Sequence, residues 1–226
     1  AKLVDKTLRQ WQVLGIPIRT TLMVDTSGSM RESAGTSTRA QLLADASTQG
    51  LMLFPNNTQA SLWIFGINKG GPDQDWKELL PSRRLDAASS RGTHRDDFRA
   101  ELKRAMAEDL GGGTGLYDSI LAAYKSVQAG YDPTYSNSVI VMTDGRNEDA
   151  NSVSLDELLA TLKELEDPAR PVLVLTIGIS GDADADALRK VAEATGGSSY
   201  VAETAADIQS VFVNAIAARV KAAGQG

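Results

Sequence analysis

The 226-residue chain has no cysteine, a single histidine and only 5% aromatic residues. Without cysteine, neither a disulfide framework nor a thiolate metal site is available. A chain of this length folds without disulfides, so the redox compartment stays open. Long apolar runs are missing too. No stretch approaches the ~18 residues of a transmembrane helix, and the N-terminus lacks a signal-peptide core. This chain is therefore expected not to insert directly into a membrane. Positive charge is in deficit: 23 Lys and Arg against 29 Asp and Glu leave a formal net charge of −6. That balance argues against nucleic acid and anionic lipid as partners. It also repels carboxylates, so an acidic ligand needs a local positive centre.

What is present reads as one large α/β domain, with 42% hydrophobic and 23% charged residues in the globular range. Four short apolar runs are rich in β-branched residues: Thr21–Val24, Ser61–Phe65, Val139–Met142 and Val172–Ile177. They predict strands covered on both faces, as in a parallel sheet. Between and after them, helical spacing of apolar residues marks 39–54, 96–109, 116–129, 155–165, 185–194 and 205–220. Alternation from Ile18 onward predicts a doubly wound, mostly parallel sheet flanked by helices. Ser199–Val201 is expected at one edge, and Trp76–Leu80 as a short antiparallel strand at an edge. Residues 1–16 read as a helical lead-in and 17–222 as the core of a domain excised from a longer protein. Two long loops, 30–38 and 67–92, are where partner specificity is expected.

In open α/β sheets, ligands bind beyond the carboxyl ends of the strands. The first strand runs into Asp25-Thr26-Ser27-Gly28-Ser29. Three oxygen-bearing side chains at alternating positions, with a glycine to turn the chain, can converge on one point. One carboxylate and two hydroxyls make a hard donor set, suited to Mg²⁺ or Mn²⁺ rather than Zn²⁺. Thr143-Asp144-Gly145 brings a second carboxylate to the same sheet edge, and Gly111-Gly112-Gly113-Thr114-Gly115 offers another hydroxyl. Each piece alone has a plainer reading. A strand-end aspartate is often a helix cap, and a glycine-rich loop before a helix also cradles phosphate. Together, on these elements, they form a signal.

These residues carry a family resemblance. The chain resembles the von Willebrand factor type A domains, whose metal-ion-dependent adhesion site combines D-x-S-x-S, a distant Thr and the Asp of T-D-G. The matching positions are Asp25, Ser27, Ser29, Thr114 and Asp144. Further segments extend the likeness over nearly the whole chain: Leu116-Tyr117-Asp118, Thr176-Ile177-Gly178-Ile179 and Ala194-Thr195-Gly196-Gly197. More narrowly, it is similar to the version found C-terminal to a substrate-binding region in actinobacterial cell-envelope proteins. Gly113 to Asp118, Asn137-Ser138-Val139 and Thr143-Asp144-Gly145-Arg146-Asn147 carry that likeness. The resemblance implies a bound Mg²⁺, with Mn²⁺ or Ca²⁺ as alternatives. It implies Ser27, Ser29 and Thr114 as direct or switching ligands, and Asp25 and Asp144 acting largely through coordinated water. A partner's Asp or Glu carboxylate would take the remaining position. It also implies an extracellular or cell-envelope location and a substrate-binding domain in the same full-length protein.

Other features are weaker. Gly181 to Asp186 is similar to a calcium loop, but Ala187 stands where such a loop needs glycine, so Asp182 or Asp184 is read as a helix cap. His94 is expected at an exposed helix start, and no nucleophile elbow surrounds a serine. Trp63 and Phe65 read as core and Trp76 as a lid on the sheet edge. Arg83, Arg84, Arg91 and Arg95 read as a solvated cluster. A haloacid-dehalogenase-like phosphotransferase also ends its first strand in Asp, but needs a second carboxylate two residues on, where this chain has Ser27. An assembly role docking onto an ATPase is a further alternative. The expectation is a binding module and no catalysis.

Overall fold

A computed structural model describes residues 16–179, 181, 183–204, 207 and 210–211. The expected lead-in helix before residue 16 and nearly all of the expected helix at 205–220 lie outside them. Six strands form the main sheet: β1 (Ile18–Asp25), β2 (Gln59–Phe65), β3 (Trp76–Arg84), β4 (Ser136–Thr143), β5 (Val172–Ile179) and β6 (Ser199–Ala202). Among the described residues the α-helices that accompany them are α1 (Arg39–Leu53), α2 (His94–Glu108), α3 (Tyr117–Ala129), α4 (Leu155–Glu164) and α5 (Ala185–Glu193). All but α3 begin where the chain supplies a side-chain cap. Thr38 with Gln41, Thr93 with Asp96, and Ser154 with Glu157 each close a reciprocal capping box, and Asp184 accepts from the Ala187 amide.

The strand order is β6-β5-β4-β1-β2-β3. All neighbours are parallel except β2 and β3, which run antiparallel with a register shift near Leu62. The chain therefore builds outward from β1 through β2 to β3, then returns to lay β4 on the other side of β1. That reversal of direction sits between the carboxyl ends of β1 and β4. The edge strand expected over Trp76–Leu80 is present and runs on to Arg84. The middle of the 67–92 segment is thus a strand of 9 residues, and Trp76 stacks on Trp63 with ring centroids 6.5 Å apart.

Period-two alternation sorts the strand side chains into two cores. Leu22, Val24, Leu62, Ile64, Ile140 and Met142 face one side, where Leu43 of α1 and Phe98 and Leu102 of α2 cover them. Met23, Trp63, Phe65, Val139, Val141 and Val174 face the other, beneath Ile120 of α3, Leu158 of α4 and Val191 of α5. With both faces covered, the strands must be apolar throughout, which is why they read as runs rather than as alternations.

Two expectations need correction. His94 is not exposed: it is 1% accessible, its Nε2–H donates to the Ala60 carbonyl at 2.9 Å, and its ring meets the edge of Phe98. The first turn of α2 tucks under the amino end of β2, so the imidazole can satisfy a buried backbone acceptor there. Arg95 is not simply solvated either. Its guanidinium donates to the carbonyls of Leu51 and Phe54, closing the carboxyl end of α1.

Candidate metal centre

At the strand-order reversal, Asp25 ends β1 with both carboxylate oxygens engaged. Oδ1 accepts the Ser27 amide at 2.8 Å and Oδ2 accepts the Thr143 hydroxyl from β4 at 2.6 Å. Ser27 Oγ lies 2.9 Å from Ser29 Oγ, and the Ser29 hydroxyl donates to Asp144 Oδ1 at 3.0 Å. Asp25, Ser27, Ser29 and Asp144 thus form one hydrogen-bonded chain across two strand-end loops. All but Ser29 are almost wholly buried.

Thr114 lies beside this chain without a hydroxyl bond to the other four. Its loop is docked by backbone bonds, Gly111 N to Thr26 O at 2.9 Å and Gly28 N to Gly112 O at 2.8 Å. A Cβ on Gly145 would stand 3.0 Å from Thr114 Oγ1, so the absence of a side chain after Asp144 lets the two loops meet.

Two residues that sequence reasoning passed over hold this arrangement in place. Arg39, the first residue of α1, donates to Asp144 Oδ2 at 2.9 Å and reaches Glu32 at 3.0 Å. A signal for it existed: a cation at a helix amino end opposes the helix dipole, so something else must hold it there. Glu148 is the second, accepting the Thr114 amide at 3.0 Å while its own amide donates to the Thr114 carbonyl at 2.8 Å. Asn147 adds a bond from the Leu116 amide at 2.8 Å. The residues after Thr143-Asp144-Gly145 therefore clamp the Thr114 loop.

Burial pushes the Asp25 carboxyl up to about 6, and the Asp144 charge adds to the rise against the opposing hydrogen bonds from Thr143 and Ser27. Two buried carboxylates with clustered hydroxyls and no sulfur or imidazole are a donor set that fits a hard divalent cation.

The raised Asp25 carboxyl has a pH consequence. A carboxyl with a higher pKa folded than unfolded favours the fold when protonated. Its contribution is intact below about 3.8, is lost as pH rises to about 6, and totals about 3 kcal/mol. The stability difference between the cation-free native chain and Asp25→Asn should shift by roughly that amount, against the native chain, between pH 4 and pH 7. Urea titrations in chelator measure it, and a pH-independent difference would assign Asp25 an ordinary carboxyl.

A doubly wound sheet with an oxygen-only cluster at its switch point is the architecture of a ligand-binding α/β domain. The family description "von Willebrand factor type A domain" matches residues 21–214, and the chain belongs to that family. Domains of this family are typically protein-interaction or adhesion modules, generally without catalysis, and often bind a divalent metal. An uncharacterized protein of Mycobacterium tuberculosis is 27% identical over 191 residues, covering 84% of this chain and 26% of its own length. The chain thus spans about a quarter of that relative. The solved von Willebrand factor type A protein from Catenulispora acidiphila aligns with a TM-score of 0.63 at 17% identity, over 90% of this chain and 43% of that one. The pilus adhesin SpaC from Lactobacillus rhamnosus GG aligns with a TM-score of 0.64 at 15% identity, over 91% and 31%.

Proposed function

We propose that this domain binds a protein partner through a Mg²⁺ ion held by Asp25, Ser27, Ser29, Thr114 and Asp144, with an Asp or Glu carboxylate of the partner as the incoming ligand. One observation carries the reading. The steps from Ser27 Oγ to Ser29 Oγ and on to Asp144 Oδ1 are 2.9 and 3.0 Å. Neighbouring ligands in an octahedral magnesium shell are about 3 Å apart, because each metal–oxygen bond is about 2.1 Å. Mn²⁺ fits a similar shell, and Ca²⁺ needs a wider one.

The chain's own residues divide the work. Asp25 has both oxygens occupied by Ser27 and Thr143, which suits a carboxylate that acts through coordinated water. Arg39 takes one oxygen of Asp144 and leaves the other toward Ser29, which orients it. The serine hydroxyls remain as neutral direct ligands. When bound, the cation supplies the positive centre that a chain of net charge −6 otherwise denies to an acidic partner. Ser27 also stands where a phosphotransferase would need its acid, which favours binding over turnover.

The adhesin among the structural neighbours favours a location in the cell envelope or outside it, and the resemblance to the actinobacterial cell-envelope proteins implies a substrate-binding domain in the same full-length protein. No helix among the described residues is long and apolar enough to cross a membrane. The test is calorimetric titration with Mg²⁺, for which one equivalent is expected in the native chain and none in the Ser27→Ala/Ser29→Ala double variant. Absence of magnesium uptake by the native chain ends the proposal.

A further inference from the structure

Next to the Thr114 loop, against Gly115, stand three more carboxylates. Asp75 precedes β3, Asp118 lies in the first turn of α3, and Asp149 follows Glu148 in the loop after β4. One oxygen from each lies within 4.8 Å of the other two. Asp75 is 4% accessible. Its Oδ1 accepts the Asn68 amide at 2.9 Å, while its buried Oδ2 has no hydrogen-bond partner. Asp118 accepts the Val153 amide at 3.3 Å, 35 residues on, and Asp149 the local Asn151 amide at 2.9 Å. Among the described residues no Lys or Arg pairs with any of the three.

An acidic cluster on a surface is ordinarily solvated and needs nothing further. Here one member is buried with an unsatisfied oxygen, and a buried polar atom without a partner is costly. A water would satisfy that oxygen but leave the three charges facing one another; a proton shared between carboxyls, or a cation, resolves both. Burial raises the Asp75 carboxyl, and the neighbouring charges of Asp149 and Asp118 raise it further, so either remedy is favoured over three bare charges. The donor set decides between them. A shared proton serves two carboxyls and leaves the third repelled, whereas one cation neutralises all three.

We propose that Asp75, Asp118 and Asp149 form a second divalent-cation site of calcium type. Three carboxylates from three separate segments match Ca²⁺, which takes six to eight oxygens, better than Mg²⁺, which keeps most of its waters and uses one or two carboxylates. The site has an opening: Asp118 also lines an open surface hollow with Trp63 and Trp76. It also has a structural purpose. A Cβ on Gly115 would fall 2.0 Å from Asp75 Oδ2, so this aspartate wedges directly against the residue after Thr114. A cation there ties β3, α3 and the loop after β4 around the Thr114 loop.

The inference does not depend on the magnesium proposal, and the test keeps them apart. The probe is Ca²⁺, titrated calorimetrically into the Asp25→Asn chain. Tb³⁺ luminescence excited through the tryptophans serves as a second readout, since Trp76 adjoins Asp75. One equivalent is expected to bind. Adding Asp118→Asn should weaken it at least about tenfold, and adding Asp149→Asn as well should remove it. Asp118→Asn alters only a half-buried side chain on a helix and is expected to stay folded, with the fold checked by circular dichroism. Failure of the folded Asp25→Asn chain to take up Ca²⁺ or Tb³⁺ overturns the inference and leaves the shared proton. Uptake that Asp118→Asn leaves within about twofold overturns it equally. Neither result touches magnesium uptake by the native chain.

Discussion

Replacement of Asp25 by alanine is expected to reduce Mg²⁺ affinity on the order of 100-fold or more while leaving the cation-free fold nearly as stable as before. Two opposed effects produce the second half of that result. The carboxylate is fully buried and beside the Asp144 charge, so removing it relieves a desolvation cost and a repulsion. Its loss also strands the Ser27 amide and the Thr143 hydroxyl, which now bond it at 2.8 and 2.6 Å. Each stranded donor costs about 1–3 kcal/mol if no water reaches it. At neutral pH these contributions largely cancel, because Asp25 ionises against its pKa of about 6. Calorimetry for the cation and urea unfolding in chelator separate the two halves. Retained magnesium binding in a folded Asp25→Ala chain would move the site away from β1.

The second large effect belongs to Arg39. Its side chain is 7% exposed and that of Asp144 is not exposed at all, so the pair is a buried one. Breaking such a pair by truncating one member costs about 3–5 kcal/mol, mostly from the charge left without a partner. Arg39→Ala should therefore lower the melting temperature by roughly 10 °C in chelator. Bound Mg²⁺ offers Asp144 a substitute counter-charge. Saturating magnesium should then raise the melting temperature of the variant by more than that of the native chain. Arg39→Lys should behave like the alanine variant in part, because an ammonium cannot fork between Asp144 and Glu32. Equal melting losses with and without magnesium would show that Arg39 only packs α1 onto the sheet.

Much of this was legible from residues alone, for identifiable reasons. β1, β2, β4 and β5 are covered on both faces, which writes them as apolar runs, and α1, α2, α4 and α5 carry both periodicity and caps. The oxygen-bearing turn at Asp25, Ser27 and Ser29 is local, so spacing was enough to see it. What stayed hidden was contact between distant segments. His94 finds Ala60 because α2 tucks under β2, and nothing in its neighbours states that. Arg39 meets Asp144 across 105 residues, and Glu148 braces Thr114 across 34. The carboxylates of Asp75, Asp118 and Asp149 come from three segments whose meeting only the topology arranges. The length of β3 was underestimated because an exposed edge strand alternates poorly and carries Pro81, Arg83 and Arg84.

The returning course of the chain has one more consequence. The Asp25–Thr143 bond spans 118 residues and the Ser29–Asp144 bond spans 115. No contiguous fragment short of β1 through β4 contains the donors, and β4 comes to lie beside β1 only after β2 and β3 have been laid down. A nascent or clipped chain ending before Asp144 thus has a sheet half without a complete ion seat. Cation uptake at the proposed site would therefore report that the chain has been made and folded at least as far as Asp144. An ion that binds only the finished domain adds its binding free energy to that state alone.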